Sequence, residues 1–322
     1  MKFEYHQPKN LKEAGKYLLL NNSIPFSGGT DILALMKDGI VNPDHVVNLK
    51  TIDGLSDIKF ETGKGLSIGA LVKIKEISQN QMIAENFPIL KIAASEIASP
   101  QLRNMGTVGG NLCQRPRCMY FRDDFDCIRK GGGTCYAFEG FNKYHCIIGG
   151  GPCYIVHPSD LAVALLALDA AVIIYSDGKQ KQIPIDDFYI LPESDAMTET
   201  ILKPGEFVTG IFIPELKSEA RSTYFKFKER DVWDFAIVSV AAIIRINNGI
   251  IEWGSFAFGG VAPKPWLDKA FNKSIAGINI SSGSIENVVK KVFDNAQPLQ
   301  LNSYKIPLVR NILRRVITQL SA

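Results

Sequence analysis

Six cysteines carry the first chemical signal. They are Cys113, Cys118, Cys127, Cys135, Cys146 and Cys153, and no other cysteine occurs in the 322-residue chain. Their gaps run C-x4-C-x8-C-x7-C-x10-C-x6-C. Three chemistries compete for such a cluster. A disulfide framework suits small secreted domains, and this chain is neither small nor preceded by a signal-like segment. A structural zinc site favours paired C-x2-4-C turns that aim two sulfurs at one ion, and none is present. An iron–sulfur cluster needs four thiolates and accepts looser spacing, and it is the favoured reading. Arg115, Arg117, Arg122, Arg129 and Lys130 lie among the cysteines. Cations there are expected to hold thiolates deprotonated and to offset a cluster's negative charge. The stretch 113–153 shows neither a helical nor a strand period, and an ordered loop of that length needs a function or a cross-link.

Two glycine turns are the second signal: Ser27-Gly28-Gly29-Thr30-Asp31 and Thr107-Val108-Gly109-Gly110-Asn111. Adjacent glycines let backbone N–H groups approach a phosphate, and the hydroxyl neighbours add donors. Neither turn is a G-x-G-x-x-G or a G-x4-G-K-[ST] pattern, so no Rossmann or P-loop reading stands. Each alone could be a plain tight turn. Together they fit one diphosphate ligand held between two loops.

The elements that must position these residues follow from periodicity. Residues 11–21 form an amphipathic helix with Leu11, Ala14, Leu18 and Leu19 on one face. A strand runs into the first turn, Asp31 to Lys37 starts a helix, and His45 to Leu49 is a strand. Residues 58–72 make a strand pair, 73–106 are helical, and a helix spans 160–169. AVIIY, KQIPID and FVTGIFIP are strands. After a polar stretch at 216–222 come three long strands, STYFKFKER, IVSVAAIIRI and IIEWGSFAFGGVAP. Helices in WLDKAFNKSIAG, SIENVVKKVFDNA and YKIPLVRNILRRVITQL close the chain. This order is α+β, with helices on one sheet face.

Composition limits the alternatives. Hydrophobic residues make up 46% and charged residues 21%, enough apolar surface for about two domains. The net charge of +3 is too mild for a nucleic-acid binder. The basic cluster Arg310, Arg314 and Arg315 reads as a solvated or subunit-contacting helix face. The longest nearly apolar stretch, Leu161 to Tyr175, contains Asp169 and is too short for a membrane span. A cytoplasmic location is the default expectation.

Three motifs, PFSGGTDILALMKDG, ASPQLRNMGTVGGNL and GGVAPKPW, occur in an order that resembles the FAD-binding medium subunits of molybdenum hydroxylases, among them those of carbon monoxide dehydrogenase, xanthine dehydrogenase and aldehyde oxidoreductases. The resemblance covers essentially the whole chain. It implies a two-part FAD-binding domain of the vanillyl-alcohol-oxidase (PCMH) type over 1–218, divided into 1–55 and 56–218. The cysteine-rich insertion is 113–153. A C-terminal α+β domain with a three-stranded sheet and helices would fill 219–322.

The same resemblance assigns Ser27, Gly28, Gly29, Thr30, Asp31, Thr107, Gly109, Gly110 and Asn111 to the FAD pyrophosphate. It places Asp160 near the ribityl and phosphate region, and Lys226 close to the isoalloxazine ring. The alternative for Lys226 is an exposed strand lysine. His145 and His157 are read as structural or hydrogen-bonding residues, and His6 and His45 carry no signal. The cysteine-rich insertion resembles that of a subset of the family with an additional [4Fe-4S] cluster, the β subunit of 4-hydroxybenzoyl-CoA reductase among them. This implies Cys118, Cys127, Cys135 and Cys153 as ligands. Cys113 and Cys146 read as small buried hydrophobes. Trp266 departs from the pattern, where an Arg is more usual.

The implied partners are a large molybdopterin-binding subunit, a small [2Fe-2S] subunit, and an external acceptor or donor such as NAD(P) or ferredoxin. The alternatives are a self-contained flavin oxidoreductase and a zinc-stabilised binding module.

Overall fold

The computed structural model describes residues 2–216, 219–280 and 283–321. Its strands form three sheets. The first joins β1 (Glu4–His6), β2 (Ser23–Phe26) and β3 (His45–Asn48) in the order β1-β3-β2, all parallel. A helix over Leu11–Leu18 makes the crossover. Asn10 caps it by accepting from the Glu13 N–H, and Ala14 and Leu18 turn inward. The first glycine turn follows β2 directly and leads into a helix over Ile32–Lys37.

The second sheet is antiparallel. It joins β4 (Ile58–Glu61), β5 (Gly65–Gly69), β6 (Ala171–Ser176), β7 (Lys179–Pro184) and β8 (Phe207–Pro214) in the order β4-β5-β8-β6-β7. Strand β8 is central and almost wholly buried, as its unbroken apolar run requires. β7, KQKQIP, is an exposed edge rich in lysine and glutamine, a composition that discourages further pairing.

The third sheet joins β9 (Arg221–Phe227), β10 (Val238–Asn247), β11 (Ile250–Gly259) and β12 (Trp266–Leu267) in the antiparallel order β12-β11-β10-β9. It has four strands, not the three expected. The fourth comes from WL of the segment read as helical; two residues are too few to show a period. Helices Lys269–Ser274, Ser284–Val289 and Lys305–Ser321 follow. The polar stretch read as a domain boundary includes residues 217 and 218, which lie outside the described residues.

Strand β10 shows why this sheet sits where it does. Val238, Val240, Ala242 and Ile244 face the C-terminal helices, while Ala241 and Ile243 face the core of the second sheet. Both faces are therefore covered, one of them by the helix Asp160–Ala167. All eight residues of that helix are buried, Asp160 included. Ser159 caps it, accepting from the Ala162 N–H at 3.0 Å. Among the described residues, no helix is long and apolar enough to cross a membrane.

The basic cluster near the C-terminus is engaged within the chain. Arg310 and Arg314 pair with Asp294 and Glu286, and Arg315 lies over the Phe225 ring.

Candidate functional site: a dinucleotide cleft beside a cysteine segment

The two glycine turns, about 80 residues apart in sequence, touch. The Ser27 and Thr107 hydroxyls lie 3.1 Å apart. Gly28 presses on the other flank, where a Cβ would lie 2.1 Å from the Met105 carbonyl oxygen. The second turn is a helix start rather than a loop. Thr107 caps a short helix over Val108–Leu112 and accepts from the Gly110 N–H at 3.2 Å. A Gly-Gly pair argues against helix by propensity, and this cap offsets that cost.

Two cavities, about 280 Å³ and about 450 Å³, open on either side of these turns. Both are lined by Thr30, Asp31, Thr107, Gly110 and Gln114. They form one elongated cleft with a polar waist. At one end the walls are apolar, with Phe26, Leu49, Leu71, Leu202 and Phe207. The other end holds Asp160, Lys226, Arg230, Trp233 and Phe235. A ligand with two flat ends and a diphosphate middle matches this shape.

Lys226 is a buried strand residue, not an exposed one, its side chain only 1% accessible. Its ammonium donates to Asp160 at 2.8 Å and to the Glu96 carbonyl at 3.0 Å. The other Asp160 oxygen accepts from the Tyr224 hydroxyl at 2.5 Å. Burial and the adjacent Asp160 carboxylate hold the Tyr224 hydroxyl well above the usual phenol range. Asn111 accepts from the Ser159 hydroxyl at 2.6 Å, tying the second turn to the helix that carries Asp160.

Asp31 behaves differently from its neighbours. Its carboxylate is turned toward the cysteine segment, where it meets Arg117 and Arg122 at 2.9 Å and accepts from the Arg115 N–H at 2.8 Å. The first glycine turn is thus bonded to residues on both sides of Cys118. Gln114, which lines both cavities, and Ser159 were not singled out by sequence. A lone amide and a lone hydroxyl carry no pattern.

The cysteine segment has a short helix at Met119–Arg122 and a 3-10 turn at Ile128–Lys130. No two of the six cysteines are joined in a disulfide. Cys118, Cys127, Cys135 and Cys153 line one small cavity together with Arg129 and His145; Cys113 and Cys146 do not line it. Burial pushes the Cys113 thiol up to about 12 and holds that of Cys146 higher still, so both are inert apolar groups. Cys153 is the opposite case, lowered by a hydrogen bond from Cys135 and by the Arg129 guanidinium. Arg129 Nε lies 3.4 Å from Cys153 Sγ, and His145 Nε2 lies 3.2 Å from Cys118 Sγ.

Of the five cations expected to serve the sulfurs, Arg129 alone reaches one among the described residues. Arg117 and Arg122 are engaged by Asp31, and Arg115 by Glu199 at 2.9 Å. Lys130 donates to the Asp123 carbonyl. Each partner carboxylate lies far away in sequence, so spacing could not reveal it. Arg129 itself is buried and also pairs with Glu199.

The shape of this polar-waisted cleft suits a dinucleotide. Comparison with known proteins sharpens the class. Residues 1–216 match the FAD-binding domain of molybdopterin dehydrogenases, and residues 223–320 match the CO dehydrogenase flavoprotein C-terminal domain. The FAD-binding subunit PaoB of an Escherichia coli aldehyde oxidoreductase is 37% identical, over 92% of this chain and 91% of its own length. The medium chain of a Sulfolobus acidocaldarius glyceraldehyde dehydrogenase is 27% identical over 92% and 89%. Among solved structures, that of a Cu,Mo-CO dehydrogenase matches with a TM-score of 0.78 at 22% identity, covering 100% of this chain and 98% of the other. Quinoline 2-oxidoreductase from Pseudomonas putida gives 0.76 at 20% identity, covering 99% and 96%. The chain belongs to the FAD-binding medium subunits of the molybdenum hydroxylases, and it is an oxidoreductase subunit.

Proposed function

We propose that this chain binds FAD across the waist of the cleft and a [4Fe-4S] cluster on Cys118, Cys127, Cys135 and Cys153. It would pass electrons between a large molybdopterin-binding subunit with a small [2Fe-2S] subunit and an external acceptor or donor such as NAD(P) or ferredoxin. FAD supplies the chemistry of such a hub, exchanging single electrons with iron–sulfur centres and electron pairs with other partners.

The residues fit that flavin in detail. Gly28, Gly29, Gly109 and Gly110 line the cleft at its waist, with Gly28 and Gly109 packed directly on the Met105 and Ala70 backbone. Ser27, Thr30 and Thr107 offer hydroxyl donors at the waist. The Asp160–Lys226 pair sits at the Trp233 end, where Lys226 would present a fixed cation to the ring system. Asp160 and Asn111 position rather than react. Asp31 holds the first turn to the cysteine segment instead of facing the anionic diphosphate.

The cluster reading rests on one observation: four of the six cysteines line a common cavity, and the remaining two do not. Spacing of the sulfurs favours a cluster over zinc. One tetrahedral zinc would draw four thiolates to about 3.8 Å of one another, at Zn–S bonds of about 2.3 Å. Among the described residues, no three cysteine sulfurs lie within 4.8 Å of one another. A cluster, wider than one ion, suits the looser set.

An anaerobic absorption spectrum of the purified chain, before and after dithionite, tests both groups. A flavin band on a broad brown absorbance, both bleached on reduction, is the expected result. A flavin band alone would remove the cluster. Iron analysis of two variants tests the ligand set: Cys135→Ser loses cluster iron and Cys146→Ser retains it. Equal iron in the two would overturn the assignment.

A further inference from the structure

The first sheet carries a group of side chains that line neither the sulfur cavity nor the cleft. Strands β1 and β3 are parallel neighbours, with Glu4 opposite His45. His6 follows Glu4 by two residues and so falls on the same face. His6 Nε2 lies 3.1 Å from His45 Nδ1 and 3.8 Å from Glu4 Oε2, and His45 Nδ1 lies 3.4 Å from Glu4 Oε2. Both histidines are largely covered, while the glutamate is open to solvent. The His6 ring stacks on Tyr17 at 4.3 Å, which fixes its plane.

We propose that Glu4, His6 and His45 form a binding site for one divalent cation of the zinc class. A tetrahedral ion with bonds of about 2.0–2.1 Å holds its donor atoms about 3.3–3.4 Å apart. The three separations bracket that edge length, so closure needs shifts of only tenths of an ångström. Two imidazoles and one carboxylate are the donor set of zinc, copper(II) or nickel(II), and a poor one for magnesium or calcium. The fourth position faces solvent on the glutamate side, where water completes the shell. The ion would bond a three-residue strand to its neighbour and so pin the chain's first strand to the sheet. The histidine pair itself supplies a reason for an ion as well. Two ring nitrogens facing each other at 3.1 Å require one to carry a proton and the other not. A cation satisfies both lone pairs and the carboxylate charge together.

The test is zinc titration calorimetry on the full chain with its flavin and iron in place, because emptied cysteines would also take up zinc. The wild type is expected to bind one zinc with micromolar or tighter affinity. His45→Asn and His6→Asn should each weaken it by about tenfold or more, in line with loss of one of three protein ligands. Glu4→Gln changes only an exposed side chain and serves where a histidine variant misfolds. Cobalt(II) added instead should give weak visible bands of a tetrahedral nitrogen–oxygen site, without the intense near-ultraviolet absorption of thiolate ligands. No zinc uptake by the wild type, uptake unchanged in the variants, or a thiolate spectrum with cobalt would each overturn the proposal.

Discussion

The glycine cradle and the cysteine segment are neighbours built on opposite terms. The cradle is made by omission: backbone meets backbone, two hydroxyls touch, and there is no spare volume for another carbon. The cysteine segment is made by addition, from long charged side chains reaching in from elsewhere. Its own apolar cluster is small, centred on Leu35, Phe121 and Cys127. Asp31 and Glu199 hold its arginines, while Asn302 and Lys305 hold its far end. A cradle of the first kind is preformed. A segment of the second kind holds its shape through buried charge pairs, and through whatever its thiolates bind.

The difference predicts different weaknesses, the largest in the cradle. Gly28→Ala would set a methyl carbon on the Met105 carbonyl, and neither backbone can yield cheaply. Flavin extracted from this variant should fall to less than about a tenth of wild type. Gly133→Ala, in the cysteine segment, meets nothing within 4 Å and should retain both flavin and iron. Equal flavin in the two alanine variants would erase the contrast.

The matching break in the cysteine segment is Glu199→Gln. It leaves the buried Arg129 guanidinium without its anion and removes the partner of Arg115. Loss of one partner of a buried pair costs about 3–5 kcal/mol. The expected outcome is a lower thermal midpoint and reduced iron, with flavin largely retained. Flavin lost in step with iron would mean that the two regions form one cooperative unit. Asp31→Asn tests that coupling directly, since Asp31 bonds the first glycine turn to Arg115, Arg117 and Arg122. Both flavin and iron should fall there, each by less than in Gly28→Ala and Cys135→Ser respectively.

Lys305 sharpens the same contrast at smaller amplitude. It is fully buried on the C-terminal helix, and its ammonium donates to the carbonyls of Tyr144, His145 and Gly260. Lys305→Met keeps the stem and strips the Tyr144 and Gly260 carbonyls of their donor, at about 1–3 kcal/mol for each one left dry, while the His145 carbonyl keeps the Asn302 amide. Faster amide exchange should appear around 144–146 and 260, while the glycine turns stay protected.

Much of this was legible from residue order, and what escaped has a common cause. The long strands β10 and β11 declare themselves by apolar runs, and the helix Asp160–Ala167 by its cap and composition. Gly28 and Thr107 could be singled out because turn chemistry is local. The roles of Asp31 and of the arginines could not. Each rests on a carboxylate–guanidinium contact across some 70–90 residues, and a charge shows its sign in sequence but not its partner. β12 was misread because Trp266 and Leu267 are too short a run to show alternation. The Glu4, His6 and His45 group was passed over for the same reason as the arginines: parallel pairing of β1 with β3 brings it together.

The smallest effect lies at the seam between the two regions, at His157. It packs edge-on against Tyr189 at 4.5 Å, and its Nδ1 accepts from the Ser159 N–H just before Asp160. Burial lowers its pKa to about 3, helped by the Arg117 and Arg129 charges of the cysteine segment. The unfolded chain would titrate this imidazole near 6.5, so between pH 6.5 and 3 the unfolded state binds the extra proton. Stability should therefore fall as pH drops through that window, by at most about 1.4 kcal/mol per pH unit from this residue. Carboxylates that are paired in the fold add their own loss at the lower end. Subtraction isolates the histidine: His157→Gln should flatten the slope between pH 6.5 and 5, where those carboxylates are still ionised in both states. Arg117→Gln should leave that slope unchanged, because the native imidazole stays unprotonated above pH 5 either way, and should instead raise the pH at which the His157 ring titrates in the folded chain, read by NMR. A His157 ring titration identical to wild type would show that the charges of the cysteine segment stop at its border. A measurable change would show that the cradle's side of the seam feels them.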